Sequence, residues 1–227
     1  PVRMELVTPY LTALEEKDGL TAAHTWRVTL YARLLSEEFG LDAERVARIG
    51  VAASLHDIGK LDVPRAILQK PGPLPDEAFA ITKPHPMPGW RRLRDLGVTD
   101  QVALNLVRYH HERIDGKGYP HGIAGEAIPI GARFFAVIDT FDALTSIRPY
   151  RSDVGHAAGD RAFEELHKGV NSRYAPEAVE AFYRLYRHGE LDWIMEYFND
   201  ASCPLTFHEF DDVQRVGRSS AVATPKK

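Results

Sequence analysis

Residues 128–146, IPIGARFFAVIDTFDALTS, decide the fold class of this chain. Apolar side chains recur nearly all round the helical turn here, a pattern that belongs to a helix buried on every side. Two aspartates interrupt it. Asp139 and Asp142 stand three residues apart and so share one side of the helix, and a carboxylate in such surroundings costs several kcal/mol unless a positive charge compensates it. The segment therefore implies a helical core wrapped around it and a compensating charge beside Asp139.

The sequence on either side is helical too. In residues 99–111 the stripe Ala103, Leu106, Val107 leads to His110, while Leu104 and Val107 lead to His111, so both histidines flank the buried side. Between this helix and the first, Gly116, Gly118, Pro120, Gly122 and Gly125 form a loop of roughly fifteen residues, a length associated with function rather than plain connection. Upstream, residues 2–17 read as an amphipathic helix that Asp18-Gly19 ends. Residues 21–39 place Val28, Tyr31, Leu35 and Phe39 on one face, which His24 joins. Asp42 caps a helix carrying Val46, Ile49 and Ala53, and Asp57 follows at the next step of that stripe. The prolines at 64, 71, 73, 75, 84, 86 and 88 then permit only short helices and turns, with His85 among them. Downstream, helices are expected over residues 156–170 and 176–188, with a short one over 190–198. The tail after Asp212 is polar and aperiodic and reads as disordered. With no sustained strand alternation, internal repeat or P-loop, the expected fold is all-α.

Composition narrows the function by exclusion. A formal net charge of −4 over 227 residues argues against general nucleic-acid affinity, so any phosphate recognition must be local. The single cysteine, Cys203, rules out a disulfide framework and fits a reducing compartment. No apolar run reaches membrane-spanning length and no charged-then-apolar leader precedes the first helix, so a cytoplasmic location is expected.

The histidines and aspartates carry the chemistry. Singly, His24 on an apolar face is a hydrogen-bonded core residue, and His85 among prolines is a loop residue. His56 and Asp57 are adjacent and point about 100° apart, which lets them grip one ion from two sides. His110 and His111 end a buried stripe, where two neighbouring imidazoles lose hydration with no mutual benefit. With Asp139 these make seven groups, and imidazole with carboxylate is the ligand mixture of a borderline transition metal. A structural zinc site needs four ligands and prefers cysteine, so seven exceed what one ion uses. Two ions about 3.5–4 Å apart, bridged by a shared carboxylate and a hydroxide that attacks phosphorus in line, would use all seven. Asp57 is the natural bridge, having two oxygens and His56 beside it. The nitrogen-rich set disfavours Mg and Ca and leaves Fe, Mn or Zn.

HDIGK (56–60), KPG (70–72), HHERIDGKGYP (110–120) and DTFDALTSIRPYR (139–151) closely resemble the HD-GYP family, a branch of the HD-domain metal-dependent phosphohydrolases. His24 with Arg27-Val28, and His85 with Gly89, fall in the family's order, and the resemblance runs over residues 20–186. It implies an HD-domain helical bundle with a long GYP loop over residues 20–188. Residues 1–19 are then an N-terminal helix acting as linker or dimer contact. Residues 189–211 are a C-terminal helical extension whose stripe Trp193, Ile194, Phe198 packs on the domain or on a second copy, and 212–227 are the disordered tail.

The activity implied is hydrolysis of cyclic di-GMP to linear pGpG, or onward to GMP. By the same resemblance His24, His56, Asp57 and Asp139 would hold one metal, and His85, His110 and His111, with Asp57 bridging, the second. Members with a third metal carry a glutamate four residues before the first histidine; Leu20 occupies that position here, so two metals are expected. Lys60, Arg148 and Arg151 would meet substrate phosphates or guanines, and Asp142 would support a ligand or orient the substrate, completing a catalytic set with Asp57. Gly118, Tyr119 and Pro120 would anchor a rigid turn holding His110 and His111, and would offer a contact for a cyclase or other signalling domain. Glu112 and Asp115 would hydrogen-bond ligating histidines. Two other readings compete: a receptor that holds cyclic di-GMP or a protein partner without turnover, and a phosphohydrolase for another nucleotide.

Overall fold

The structure, a computed structural model, describes residues 2–18, 22–70, 74–146 and 156–197. These residues form eleven α-helices and two short 3₁₀ helices, with one isolated bridge between Val170 and Tyr174 and no strand. Arg148, Arg151, Leu20, Phe198 and the tail after Asp212, all named above, lie outside the described residues.

The segment quoted first becomes α8, Ile130–Thr145, and it is the central post of the domain. Pro129 stands at its N-cap, so the helix starts two residues later than the apolar run. Phe134, Phe135, Val137, Ile138 and Phe141 are each at most 1% exposed, which is the all-round burial that the composition of the segment requires. Around α8 pack α2 (Ala22–Glu38), α7 (Gln101–Tyr109), α9 (His156–Lys168) and α10 (Pro176–Arg187). Phe141, Tyr31, Phe163 and Phe182 meet largely edge to face, with centroid separations of 5.1–5.9 Å.

On the other side α3 (Ala43–Ser54) lies between α2 and α7. Asp42 caps it, accepting from Arg45 N at 2.9 Å. Asp100 does the same for α7, accepting from Val102 N and Ala103 N, and it is also gripped by the Arg48 guanidinium at 2.9 and 3.0 Å. That cap is why α7 begins at Gln101 and not at Thr99. The proline-rich stretch yields α4 (Arg65–Leu68), α5 (Asp76–Thr82) and α6 (Pro86–Asp95), the last ten residues long because Pro86 sits in its first turn, where no donor is needed.

The first and last described helices join the same core. α1 (Met4–Asp18), expected as a linker or dimer contact, buries Val7, Leu11 and Leu14 within the domain. Its last carbonyls are capped from the segment after His56: Arg65 donates to Glu16 O and Gln69 to Lys17 O, while Lys17 donates to Leu61 O. At the other end Leu191 and Ile194, the latter in α11 (Asp192–Tyr197), are fully buried, α11 lying against α2. No helix among the described residues is long and apolar enough to cross a membrane.

Candidate metal centre

Three of the histidines are presented by one local device. His56, His85 and His110 each follow a helix end, those of α3, α5 and α7, and each places Nδ1 against the carbonyl three residues back: Ala53 O at 2.8 Å, Thr82 O at 3.0 Å, Val107 O at 3.0 Å. A carbonyl only accepts, so the proton is on Nδ1, and in the neutral ring Nε2 keeps its lone pair. The carbonyls used are among those that a helix C-terminus leaves unpaired. The helix end is satisfied and the imidazole aimed by the same bond.

His24, inside α2, is aimed differently. Its Nδ1 donates to Asp142 Oδ2 at 2.8 Å, and Arg27 donates to the same carboxylate at 2.6 and 3.1 Å. Arg27 and Asp142 are 4% and 1% exposed, a buried ion pair whose geometry must be held. Burial pushes the Asp142 carboxyl up, but the Arg27 charge and the His24 hydrogen bond outweigh it, leaving the group well below the usual range. Asp142 is thus occupied by its neighbours.

The ligand atoms converge in two triads. One ligand atom from each of His24, His56 and Asp139 lies within 4.8 Å of the others, and the same holds for His85, His110 and His111. Asp57 stands between them, with Oδ2 3.0 Å from His56 Nε2 and Oδ1 3.2 Å from His85 Nε2. Phe135 lies under the cluster, its ring centroid 4.5 Å from that of His56 and 5.9 Å from that of His110.

A close backbone contact brings the triads together. Residues 58–62, Ile58–Asp62, form a 3₁₀ turn that packs on the start of α6, and a Cβ at Gly59 would overlap the His85 carbonyl oxygen and crowd Gly89 N. Only glycine at 59 allows the turn bearing Asp57 and Lys60 to lie directly on the backbone of His85.

The donor set fits divalent transition metals. His85 Nε2 and His110 Nε2 face each other at 3.1 Å, and both carry lone pairs because their protons are committed to carbonyls. Two acceptors and the Asp57 oxygen with nothing to donate between them are repulsive until a cation sits there. Burial, with the charges of neighbouring imidazoles, holds His110 and His111 well below the ordinary histidine range, so both are neutral, the ligating form. Burial pushes the Asp57 carboxyl up, but the charges of His56 and Lys60 outweigh it and hold the group well below the usual carboxylate range. Lys60 Nζ donates to Asp57 Oδ2 at 2.7 Å.

The GYP loop folds over this cluster. Tyr119 N donates to His111 O at 3.1 Å, and the Tyr119 ring lies 4.8 Å from that of His111. A Cβ at Gly118 would overlap the backbone of Glu112 and Arg113. Glu112 and Asp115 do not meet the histidine rings as expected. Glu112 Oε1 accepts from His121 N at 2.7 Å, and Asp115 accepts from Arg113 and Lys117 N, because Val107 O already holds His110 and the loop's own donors need partners.

Two side chains near the cluster were not singled out in the sequence. Glu15 of α1 lines a cavity with His24, His56 and Asp57, its Oε1 buried without a partner, and burial pushes its carboxyl up to about 7. Lys83, two residues before His85, stands 5.1 Å over the Tyr119 ring. Periodicity exposes neither: Glu15 sits next to Leu14 on a helix that reads as peripheral, and Lys83 is one charge among prolines.

Comparison with known proteins agrees with this geometry. The HD domain family matches residues 10–178. The cyclic di-GMP phosphodiesterase response regulator RpfG of Xanthomonas campestris is 38% identical over 87% of this chain and 51% of its own length. A cyclic di-GMP phosphodiesterase of Thermotoga maritima is 41% identical over 75% of this chain and 46% of its own. The chain thus spans about half the length of these curated relatives. A cyclic GMP-AMP specific phosphodiesterase of V. cholerae has a similar fold, with TM-score 0.64 at 17% identity over 94% of this chain and 52% of that one. With a helical bundle, two histidine-rich triads and the HDIGK and HHERIDGKGYP segments in place, the chain belongs to the HD-domain family, in its HD-GYP branch.

Proposed function

We propose that this chain is a metal-dependent phosphodiesterase that opens cyclic di-GMP to pGpG, with GMP as a further product, at a two-metal centre holding Fe or Mn, or else Zn. The observation that carries this reading is Asp57, one oxygen toward each of two histidine-rich triads. Two bound divalent ions supply an activated solvent nucleophile and a sink for charge on the phosphate.

The side chains have separable tasks. His24, His56 and Asp139 would hold one ion and His85, His110 and His111 the other, with Asp57 available to both. Asp142 acts through His24: with Arg27 it fixes the ring so that Nε2 faces the ion, and it is a positioning residue rather than a substrate contact. Lys60 steadies Asp57 and lies where a phosphate oxygen would arrive. Arg148 and Arg151 are assigned to the substrate's phosphates or guanines, matching planar guanidinium to anionic oxygen. We place the reaction in the cytoplasm. The exposed edge of the GYP loop at Lys117 and His121 is left for a signalling partner such as a cyclase domain.

The test is anaerobic purification, a metal count, and chromatography of cyclic di-GMP and cyclic GMP-AMP incubated with the chain and with Asp57→Ala. Two metals and conversion of cyclic di-GMP to pGpG are expected, with the variant inactive and metal-poor. Binding without turnover by metal-loaded protein would replace the enzyme by the receptor. A count of three metals would overturn the inference from Leu20.

A further inference from the structure

Lys83 stands at the rim of the centre. It caps the C-terminal end of α5, is exposed, and its ammonium lies 5.1 Å from the centroid of the Tyr119 ring. No carboxylate among the described residues pairs with it, whereas Lys60 is already joined to Asp57. Tyr119 lies against His111, tilted by 31°. The Tyr119 ring thus contacts both the Lys83 ammonium and the His111 imidazole, and an aromatic face holds a cation in place without neutralising it.

A cyclic dinucleotide carries two phosphodiesters. When one lies on the metals, the other lies across the macrocycle and keeps a full negative charge at the edge of the site. Of the described cations beside the ligands, Lys60 is joined to Asp57 and Arg27 to Asp142, so Lys83 would act alongside Arg148 and Arg151. We propose that Lys83, held over Tyr119, binds the phosphodiester that is not being cleaved, and so selects a substrate with two phosphates over one with a single phosphate. This rests on the phosphodiesterase reading above. The contact is one ammonium on a flexible stem to a phosphate oxygen, in partly exposed surroundings. Its loss should cost roughly tenfold in binding, the scale of a single charge-assisted hydrogen bond.

The experiment compares the chain with Lys83→Gln and Lys83→Arg on two substrates, cyclic di-GMP and the one-phosphate ester bis(p-nitrophenyl) phosphate, after metal contents have been matched. Lys83→Gln is expected to raise KM for cyclic di-GMP roughly tenfold with little change in kcat. Its loss of kcat/KM should be several-fold larger on the dinucleotide than on the one-phosphate ester. Lys83→Arg should recover most of the loss. Equal losses on the two substrates, or none on either, would overturn the proposal. Should the unaltered chain hydrolyse neither substrate, the enzyme reading fails, and calorimetric titration with cyclic di-GMP then decides for Lys83. A roughly tenfold weaker Kd in Lys83→Gln supports the contact, while equal affinity, or no binding at all by the unaltered chain, overturns it.

Discussion

Asp142 shows how much a single side chain does in this centre without touching the chemistry. Its carboxylate answers the Arg27 guanidinium and the His24 Nδ1–H together, with all three groups nearly buried. Asp142→Asn keeps the shape and removes the charge that answers the buried Arg27 guanidinium. The expected cost is about 3–5 kcal/mol in a urea titration. Metal content should fall as well, since the His24 ring loses its orientation; a variant with unchanged metal content would show that His24 is aimed by something else. The sequence makes Asp139 and Asp142 look equivalent, two carboxylates on one side of one helix. What separates them is depth. Asp142 is buried against α2, while Asp139, half-buried, has its oxygen among the ligand atoms.

At the level of elements, the centre is built where helices stop. α3, α5 and α7 end one residue or a short turn before His56, His85 and His110, and the unpaired carbonyls of their last turns fix the three rings. The expected helix over residues 99–111 therefore ends at Tyr109, and that early stop is what turns the two histidines inward. The 3₁₀ turn after His56 depends on Gly59. Gly59→Ala should cost about 1–3 kcal/mol by overpacking, because the atoms in the way are backbone and cannot rotate aside, and it should lower metal content by moving Asp57 off His85. Gly131→Ala is the matched control. Its Cβ would meet only side-chain carbons at 3.7 and 3.8 Å within the first turns of α8, and it should be neutral or stabilise by up to about 1 kcal/mol. Thermal melts of both variants with metal assays distinguish a general intolerance of side chains at glycine positions from the specific contact at Gly59.

For the molecule as a whole, the two triads draw on α2, α3, α7, α8 and the turn before α6, elements from the whole first two thirds of the chain. Metals bound by such a set bind only the folded state. Removing them with a chelator should therefore lower stability by about 2.7 kcal/mol for each ion, relative to metal at a hundredfold excess over its Kd. Asp57→Ala should abolish most of that difference, and paired denaturant titrations check it; an apo chain as stable as the loaded one would mean that the donors do not act as ligands. α1 and α11 also belong at this scale. Each is too short an apolar stripe to say what it packs on, and each turns out to close the core of its own domain.

The amino-acid sequence by itself determined the all-helical class, the buried post at residues 128–146 and the identity of the seven donor residues, because periodicity and side-chain chemistry are local properties. It also carried the family, through motifs whose order and spacing are specific. Only the tertiary structure decided which donors meet. Long-range packing sorts them into two triads about Asp57, ties Asp142 to Arg27 and His24, and sets Lys83 over Tyr119, while Glu112 and Asp115 are engaged by His121 N and Arg113. Those are contacts between residues far apart in the chain or on separate turns. Their geometry follows from how helices end and pack, which no window of sequence contains.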